Sequence, residues 1–262
     1  MDDNLIKQLT DYVHSAEKEK REIKKITSEL YPALTIEDAY SVQEQLLNEK
    51  LADGYRIVGP KMGMTSEAKM KQMGVNDPIY GYLFDYMIVE EGTSISLSDY
   101  IHPKVEPEIG FILKKDLEGP NITMFDVLAA TDYVFPAIEI IDSRYRNFDF
   151  TLPDVIADNT SAAGAIFGTT LTRPEKIELD VVGATLSING KLQAIGAGAA
   201  VLGHPANSVA RLANMLAKKG KKVKAGEPIL TGGLTAAVPL SKGDHVSVKC
   251  GGLGKVSFYV EG

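Results

Sequence analysis

The chain has 262 residues, 44% of them hydrophobic, with 28 lysines and arginines against 35 aspartates and glutamates and a net charge of −7. That is enough apolar material for a full core, while the acidic balance argues against a nucleic-acid or anionic-membrane partner, since neither is drawn to a negative surface. The single cysteine, Cys250, leaves no intramolecular disulfide and no cysteine-built zinc cage.

The N-terminus, Met1-Asp-Asp-Asn, is acidic and runs into an amphipathic stretch, unlike a secretory signal. No run of about 18 apolar residues is present to span a bilayer, so a cytoplasmic protein is expected. Apolar positions at helical spacing predict helices over 4–19 and 36–53, the second opening at Thr35 and continuing through Ala39, Val42, Leu46, Leu47 and Leu51. From Tyr55 the period changes. Short strands are predicted at 55–59 and 87–90, with a Thr65-capped helix through Met73 between them. Longer strands follow at 102–114 and 133–142, joined through a helix at 124–130. Beyond Asp149 the pattern is mostly β, with strands near 163–169, 179–188, 191–196, 228–231, 244–250 and 253–260. One helix, Ser208 to Lys219, interrupts it. Asn189-Gly190, Lys242-Gly243-Asp244 and Gly251-Gly252 mark the turns. The chain reads as α+β: a mainly helical N-terminal region, 1–75, packed on a β-rich catalytic region, 76–262, with no repeat or linker demanding independent domains.

Within this frame, Val105-Glu106-Pro107-Glu108-Ile109 carries two carboxylates two residues apart, on one face of a strand. An isolated Glu-x-Glu also marks the wet face of a half-exposed strand. Glu139 shifts the balance, because it interrupts the apolar run Tyr133 to Ile141 and so reads as a buried acid. Burying such charges uncompensated costs several kcal/mol, so a cation is expected among them. Three carboxylates on rigid strands suit a hard divalent ion, Mg2+ or Mn2+, with positions left for substrate.

Other features are weaker. Gly196-Ala-Gly198-Ala-Ala-Val-Leu-Gly203 lacks the Lys-Ser/Thr of a phosphate loop and reads as close backbone approach. Thr231-Gly-Gly-Leu234-Thr235 offers hydroxyls and free amides suited to a carboxylate. His102 and His204 lie near these segments, His102 with a surface or capping role at least as well favoured as a site role. Cys250, in an apolar segment, reads as core filler. Lys61, at a strand end, is the remaining cationic candidate, although a lysine so placed is usually solvated.

The run Lys61-Met-Gly-Met-Thr-Ser66, with Ala68-Lys-Met70, Gln72-Met-Gly-Val75 and Pro78-Ile-Tyr-Gly81, resembles the 4-oxalocrotonate decarboxylases of catechol meta-cleavage pathways. These group with the vinylpyruvate hydratases in the fumarylacetoacetate hydrolase superfamily. The resemblance extends through His102-Pro-Lys-Val-Glu106-Pro-Glu108, Glu139-Ile-Ile-Asp-Ser-Arg-Tyr145, Ala157-Asp-Asn159, Gly196 to Pro205 and Thr231 to Ala237, nearly the whole chain. It implies a mixed β-sandwich or roll with the helical region packed on it, and Mg2+ (or Mn2+) held by Glu106, Glu108 and Glu139. Lys61 falls on the active-site lysine and Ser161 on a substrate-carboxylate contact. The hydratases carry an acid directly after the proline of the Pro78 segment; here that position is Ile79, which favours the decarboxylase branch. Leu234 and Met64 replace an isoleucine and a leucine and preserve apolar character.

The implied substrate is a small 2-oxo dicarboxylate, 2-oxo-hex-3-enedioate, decarboxylated to 2-hydroxypenta-2,4-dienoate with the metal as electron sink and no organic cofactor. The alternative is hydration of that dienoate. Lys61, Ile79, Ser161, Leu234 and Thr235 are expected at the substrate. Arg144 is the candidate for its distal carboxylate, because guanidinium matches carboxylate geometry, with a structural ion pair as the other reading. An oligomer and an association with the pathway's hydratase are also implied.

Overall fold

The computed structural model describes residues 1–66, 70–71 and 76–262. Among them the chain forms helices α1 (Asp3–Glu19), α2 (Ile26–Glu29) and α3 (Ile36–Ala52), then strands β1 (Ile57–Gly63), β2 (Ile79–Phe84), β3 (Ile88–Val89), β4 (Ser94–Ser96) and β5 (Lys104–Leu113). Helix α4 (Met124–Ala130), strand β6 (Thr131–Ile141), helix α5 (Leu152–Ala157) and strands β7 (Ala162–Phe167), β8 (Gly183–Ile188) and β9 (Lys191–Ala197) follow. Helix α6 (Pro205–Ala217) and strands β10 (Pro228–Leu230), β11 (Val238–Pro239), β12 (His245–Cys250) and β13 (Gly254–Glu261) complete it.

The helical layer forms for local reasons. The Asp2 carboxylate accepts from the Leu5 amide at 2.8 Å to start α1, and Thr35 Oγ1 accepts from the Asp38 amide to start α3. Where the two helices meet, Leu9, Val13 and Ala16 of α1 and Val42 of α3 are buried in one core. Lys50 on α3 donates to both oxygens of Glu17 on α1 at 2.6 Å. Burial opposes the charge on Glu17, but the Lys50 ammonium beside it wins and holds its carboxyl at about 2. The Gln43 amide donates to the carbonyls of Tyr80 and Ile156, each at 3.0 Å, and so ties α3 to β2 and α5.

Two sheets stand behind this layer. The larger runs β2-β1-β10-β5-β6-β7-β3, with β11 also paired to β5; the smaller runs β4-β13-β12-β8-β9. Most neighbours are antiparallel; β1 with β10, β3 with β7 and β4 with β13 are parallel. Strands β12 and β13 lie against β6. Long β-branched and aromatic strands such as β5 and β6 are therefore covered on both faces, and Val105, Ile109, Phe111, Val134, Ile138 and Ile140 are fully buried.

Several boundaries differ from those predicted. Strand β1 runs 57–63, so Lys61 lies within it, and residues 57–63 belong to the large sheet although they fall inside the region 1–75; the helical layer ends at Ala52. Strand β2 has no alternating signal because it is buried on nearly every residue. The strand expected over 179–188 starts only at Gly183, after a single 3-10 turn at Leu179–Val181. Helix α6 starts at Pro205 because His204 Nδ1 accepts from the Ala206 amide, which makes His204 a helix cap. The expected helix from Thr65 to Met73 lies mostly outside the described residues; Met70 and Lys71 are helical. Cys250 is buried, and burial pushes its thiol up to about 12, in keeping with core filler.

Candidate metal and substrate site

Glu106 and Glu108 project from the same face of β5, and the β5–β6 register sets Glu139 directly across from Glu106. Each of the three offers one oxygen within 4.8 Å of the others. All three are buried, Glu108 and Glu139 completely. Burial, then the Glu139 charge, pushes Glu108 well above the usual carboxylate range. Burial also raises Glu139, with Lys61 pulling it back. Lys61 Nζ lies 2.9 Å from Glu139 Oε1, a close charge contact without hydrogen-bond alignment, and donates to the Thr160 carbonyl at 2.9 Å.

Among the described residues, Glu108 Oε1 and both Glu139 oxygens accept no hydrogen bond. Buried acceptors left this way are costly. An all-oxygen carboxylate set converging in a buried pocket is the donor chemistry of a hard divalent cation, so these residues fit such an ion.

Pro107 sits between two of the glutamates, mid-strand, where a missing N–H is usually excluded. It is tolerated because the neighbour on that side is interrupted. Strand β10 covers Gly110–Ile112 and β11 covers Lys104–Val105, and between them residues 231–237 bow outward. From this bow the Gly232 amide donates to Glu108 Oε2 at 2.8 Å, the Leu234 amide to the Pro107 carbonyl at 2.8 Å, and Thr231 Oγ1 to the Ile109 carbonyl. A Cβ on Gly233 would stand 2.7 Å from the Glu106 carboxylate and displace it, so glycine lets the backbone approach this ligand closely. The segment read from sequence as a carboxylate binder thus binds the protein's own Glu108. Leu234 is buried, and Thr235 Oγ1 donates to the Ala236 carbonyl; neither side chain lines the cleft described below.

Ser161 is presented by an unusual turn. Asn159, Thr160 and Ser161 all have positive φ, of 45°, 53° and 55°, which costs of order 1–3 kcal/mol per non-glycine residue. The surroundings over-determine it. The Asn159 side chain bonds both backbone groups of Tyr82, Thr160 Oγ1 donates to the Tyr80 carbonyl, and the Ser161 amide donates to the Asp158 carbonyl. Ser161 Oγ, buried and facing the cleft, makes no hydrogen bond among the described residues.

Arg144 does not reach this cleft. Its guanidinium is buried against the Asp158 carboxylate and donates to the Asp158 and Ala162 carbonyls. The expected contact with a substrate carboxylate is replaced by the structural ion pair, because a buried guanidinium is satisfied only by fixed acceptors. Its role is to hold the base of the 158–161 turn. Arg144→Met is expected to destabilise the fold by about 3–5 kcal/mol, since Asp158 is left as an unpaired buried charge; denaturant unfolding checks this, and a loss below about 1 kcal/mol contradicts it.

The cleft over the glutamates has a volume of about 400 Å3. Met64, Ile79, Ile141, Phe148, Phe150 and Val155 form its apolar walls, with Lys61, Lys104, Glu106, Thr160 and Ser161 as polar groups. Three other grooves, of about 710, 690 and 450 Å3, are larger, but none of them contains Lys61 or any of the three glutamates. Sequence reasoning missed the Thr160 carbonyl, Phe148 and Lys104. Only Lys104 had a readable signal, lying two residues before Glu106 on the same strand face. His102, its Nδ1 3.1 Å from Glu22 and its ring on Phe148, stands behind the cleft wall.

With this geometry in view, residues 51–261 match the fumarylacetoacetate (FAA) hydrolase C-terminal family. The chain is 48% identical over 249 residues to 4-oxalocrotonate decarboxylase of Pseudomonas sp. (strain CF600), covering 95% of this chain and 94% of that one. It is 42% identical to 2-oxo-hept-4-ene-1,7-dioate hydratase of Escherichia coli, covering 92% of each. Its structure superposes with a TM-score of 0.96, at 46% identity and over 99% of this chain and 98% of the other, on 4-oxalocrotonate decarboxylase from Pseudomonas putida G7 complexed with magnesium and adipate.

Proposed function

The chain belongs to the fumarylacetoacetate hydrolase family, and from that premise we propose that it is a Mg2+-dependent decarboxylase of 2-oxo-hex-3-enedioate. The products are 2-hydroxypenta-2,4-dienoate and CO2, in the meta-cleavage breakdown of aromatic compounds. When bound by Glu106, Glu108 and Glu139, Mg2+, or Mn2+ in its place, supplies positive charge where the α-keto acid gathers electrons.

The remaining work falls to the chain's own residues. Ser161 Oγ is free to donate to the substrate's C1 carboxylate. Loss of CO2 breaks the C5–C6 bond, and its electron pair moves through the C3–C4 double bond to the keto oxygen. Lys61, beside Glu139, stabilises that oxygen's charge and can hand it the proton that completes the enol. Ile79, Phe148, Phe150 and Val155 keep water from the dienolate.

The observation that carries the reading is the wall at Ile79. Among the described residues lining the cleft, Glu106 is the sole acid, so none of them other than this candidate metal ligand offers a carboxyl to assist addition of water. The similarity to a hydratase at 42% identity supports a second reading, hydration of 2-hydroxypenta-2,4-dienoate.

Purified protein given 2-oxo-hex-3-enedioate is expected to release CO2 with Mg2+ and to stop with EDTA. Hydration of the dienoate without CO2 release replaces the first reading with the second. An oligomer, an association with the pathway's hydratase and a cytoplasmic location belong to the same proposal; among the described residues no helix is long and apolar enough to cross a membrane.

A further inference from the structure

A dicarboxylate whose α-keto acid end lies at the glutamates carries a second anion some distance away, and the cleft must meet that charge. Its lining contains two cations, Lys61 and Lys104, among the described residues. Lys61 is committed at the glutamate end, within 2.9 Å of both Glu139 Oε1 and the Thr160 carbonyl. Lys104 is differently placed. It is half-buried on β5, two residues before Glu106 and four before Glu108, hence on the same face of the strand.

Its ammonium rests on the face of Phe148, 3.7 Å from the ring centroid, and no carboxylate among the described residues stands within ion-pair distance. The two lysines that are fully buried among the described residues, Lys50 and Lys61, each face a glutamate. Phe148 is held in turn by the left-handed backbone of Asn147 and Phe148, with φ of 58° and 56°, and by the His102 ring at 4.6 Å. An aromatic face attracts the ammonium without neutralising it, so the charge stays available to a ligand anion.

The spacing agrees. Two strand residues advance about 7 Å, and an extended six-carbon chain with bonds of about 1.5 Å spans about 6 Å between its end carbons.

We propose that Lys104 binds the substrate's distal carboxylate and thereby selects dicarboxylates over monocarboxylates. The proposal rests on the decarboxylase reading for the substrate, but not for its test. Because the distal carboxylate loses its charge as CO2 departs, the contact belongs to the bound substrate more than to the transition state. Its removal therefore raises KM and does not lower kcat.

The test is titration calorimetry of the Mg2+-loaded protein with 2-oxoadipate and with 2-oxohexanoate, which share the α-keto acid and differ in the distal carboxylate. Both are saturated and cannot undergo the vinylogous loss of CO2. Lys104→Met is expected to weaken 2-oxoadipate by about 10- to 100-fold and 2-oxohexanoate by less than about threefold, while Lys104→Arg retains most of the preference. In turnover, Lys104→Met is expected to raise KM without lowering kcat, so that kcat/KM falls by less than the 2-oxoadipate affinity does.

Retained 2-oxoadipate affinity in Lys104→Met, or an equal loss for both ligands, overturns the assignment. If the wild-type protein releases no CO2 yet the dicarboxylate preference collapses in Lys104→Met, Lys104 stands and the decarboxylase reading falls. If CO2 is released and the preference survives the substitution, the Lys104 assignment falls alone.

Discussion

Glu108→Gln is expected to lower kcat on the order of 10³-fold or more, while leaving the protein folded and, without divalent cation, more stable than the wild type. The two effects have one cause. Glu108 is completely buried, burial and the Glu139 charge both disfavour its ionised form, and one of its oxygens has no hydrogen-bond donor among the described residues. A neutral amide of the same shape relieves that penalty and can keep the acceptor contact to the Gly232 amide. It also removes a full charge from the set that would hold the ion, and with it the stabilisation of the developing enolate. Tm without cation should rise by a few degrees, as about 1 kcal/mol gives in a domain of this size. The increment that Mg2+ adds to wild-type Tm should shrink or vanish, because stabilisation by a ligand follows its affinity for the native state. A variant that loses stability in EDTA, or keeps the full Mg2+ increment, would remove Glu108 from the cation site.

The route by which these residues became visible differs from one to the next. The glutamates are legible because charge interrupts apolar strands: Glu106 and Glu108 by parity on one face, Glu139 by its neighbours. That Glu139 stands opposite Glu106 is not legible, since strand register is fixed by tertiary pairing. The α+β class follows from the change of period after Tyr55, but β2 escapes because a strand buried on both faces has no alternation to detect.

Arg144 misled because its side chain suits carboxylates of any origin. Its partner, Asp158, is fourteen residues away, at the start of a left-handed turn that no glycine announces. The same turn explains why Ser161 came from family resemblance and not from pattern. Three successive positive-φ residues, of which only Asn159 is of a type that visits this region readily, leave almost no trace in sequence. Functional strain of this kind is where local preference and final structure are expected to part.

Lys61→Met carries the second large effect, and its two readouts separate chemistry from stability. Lys61 is buried between the Glu139 carboxylate and the Thr160 carbonyl. Removing its charge leaves Glu139 facing Glu106 and Glu108 without that compensation, so the cation-free variant should lose about 3–5 kcal/mol. A divalent ion brings positive charge to the same carboxylates, so Mg2+ should restore much of that loss and stabilise the variant more than it stabilises the wild type. Activity should not return with stability. The group able to meet charge on the keto oxygen and to deliver its proton is absent, and kcat should remain depressed on the order of 10³-fold at saturating Mg2+. Denaturant unfolding with and without Mg2+, run beside turnover at saturating cation, measures both. If kcat recovers with stability, Lys61 only balances charge; if kcat stays low in a restored fold, Lys61 acts on the reacting substrate.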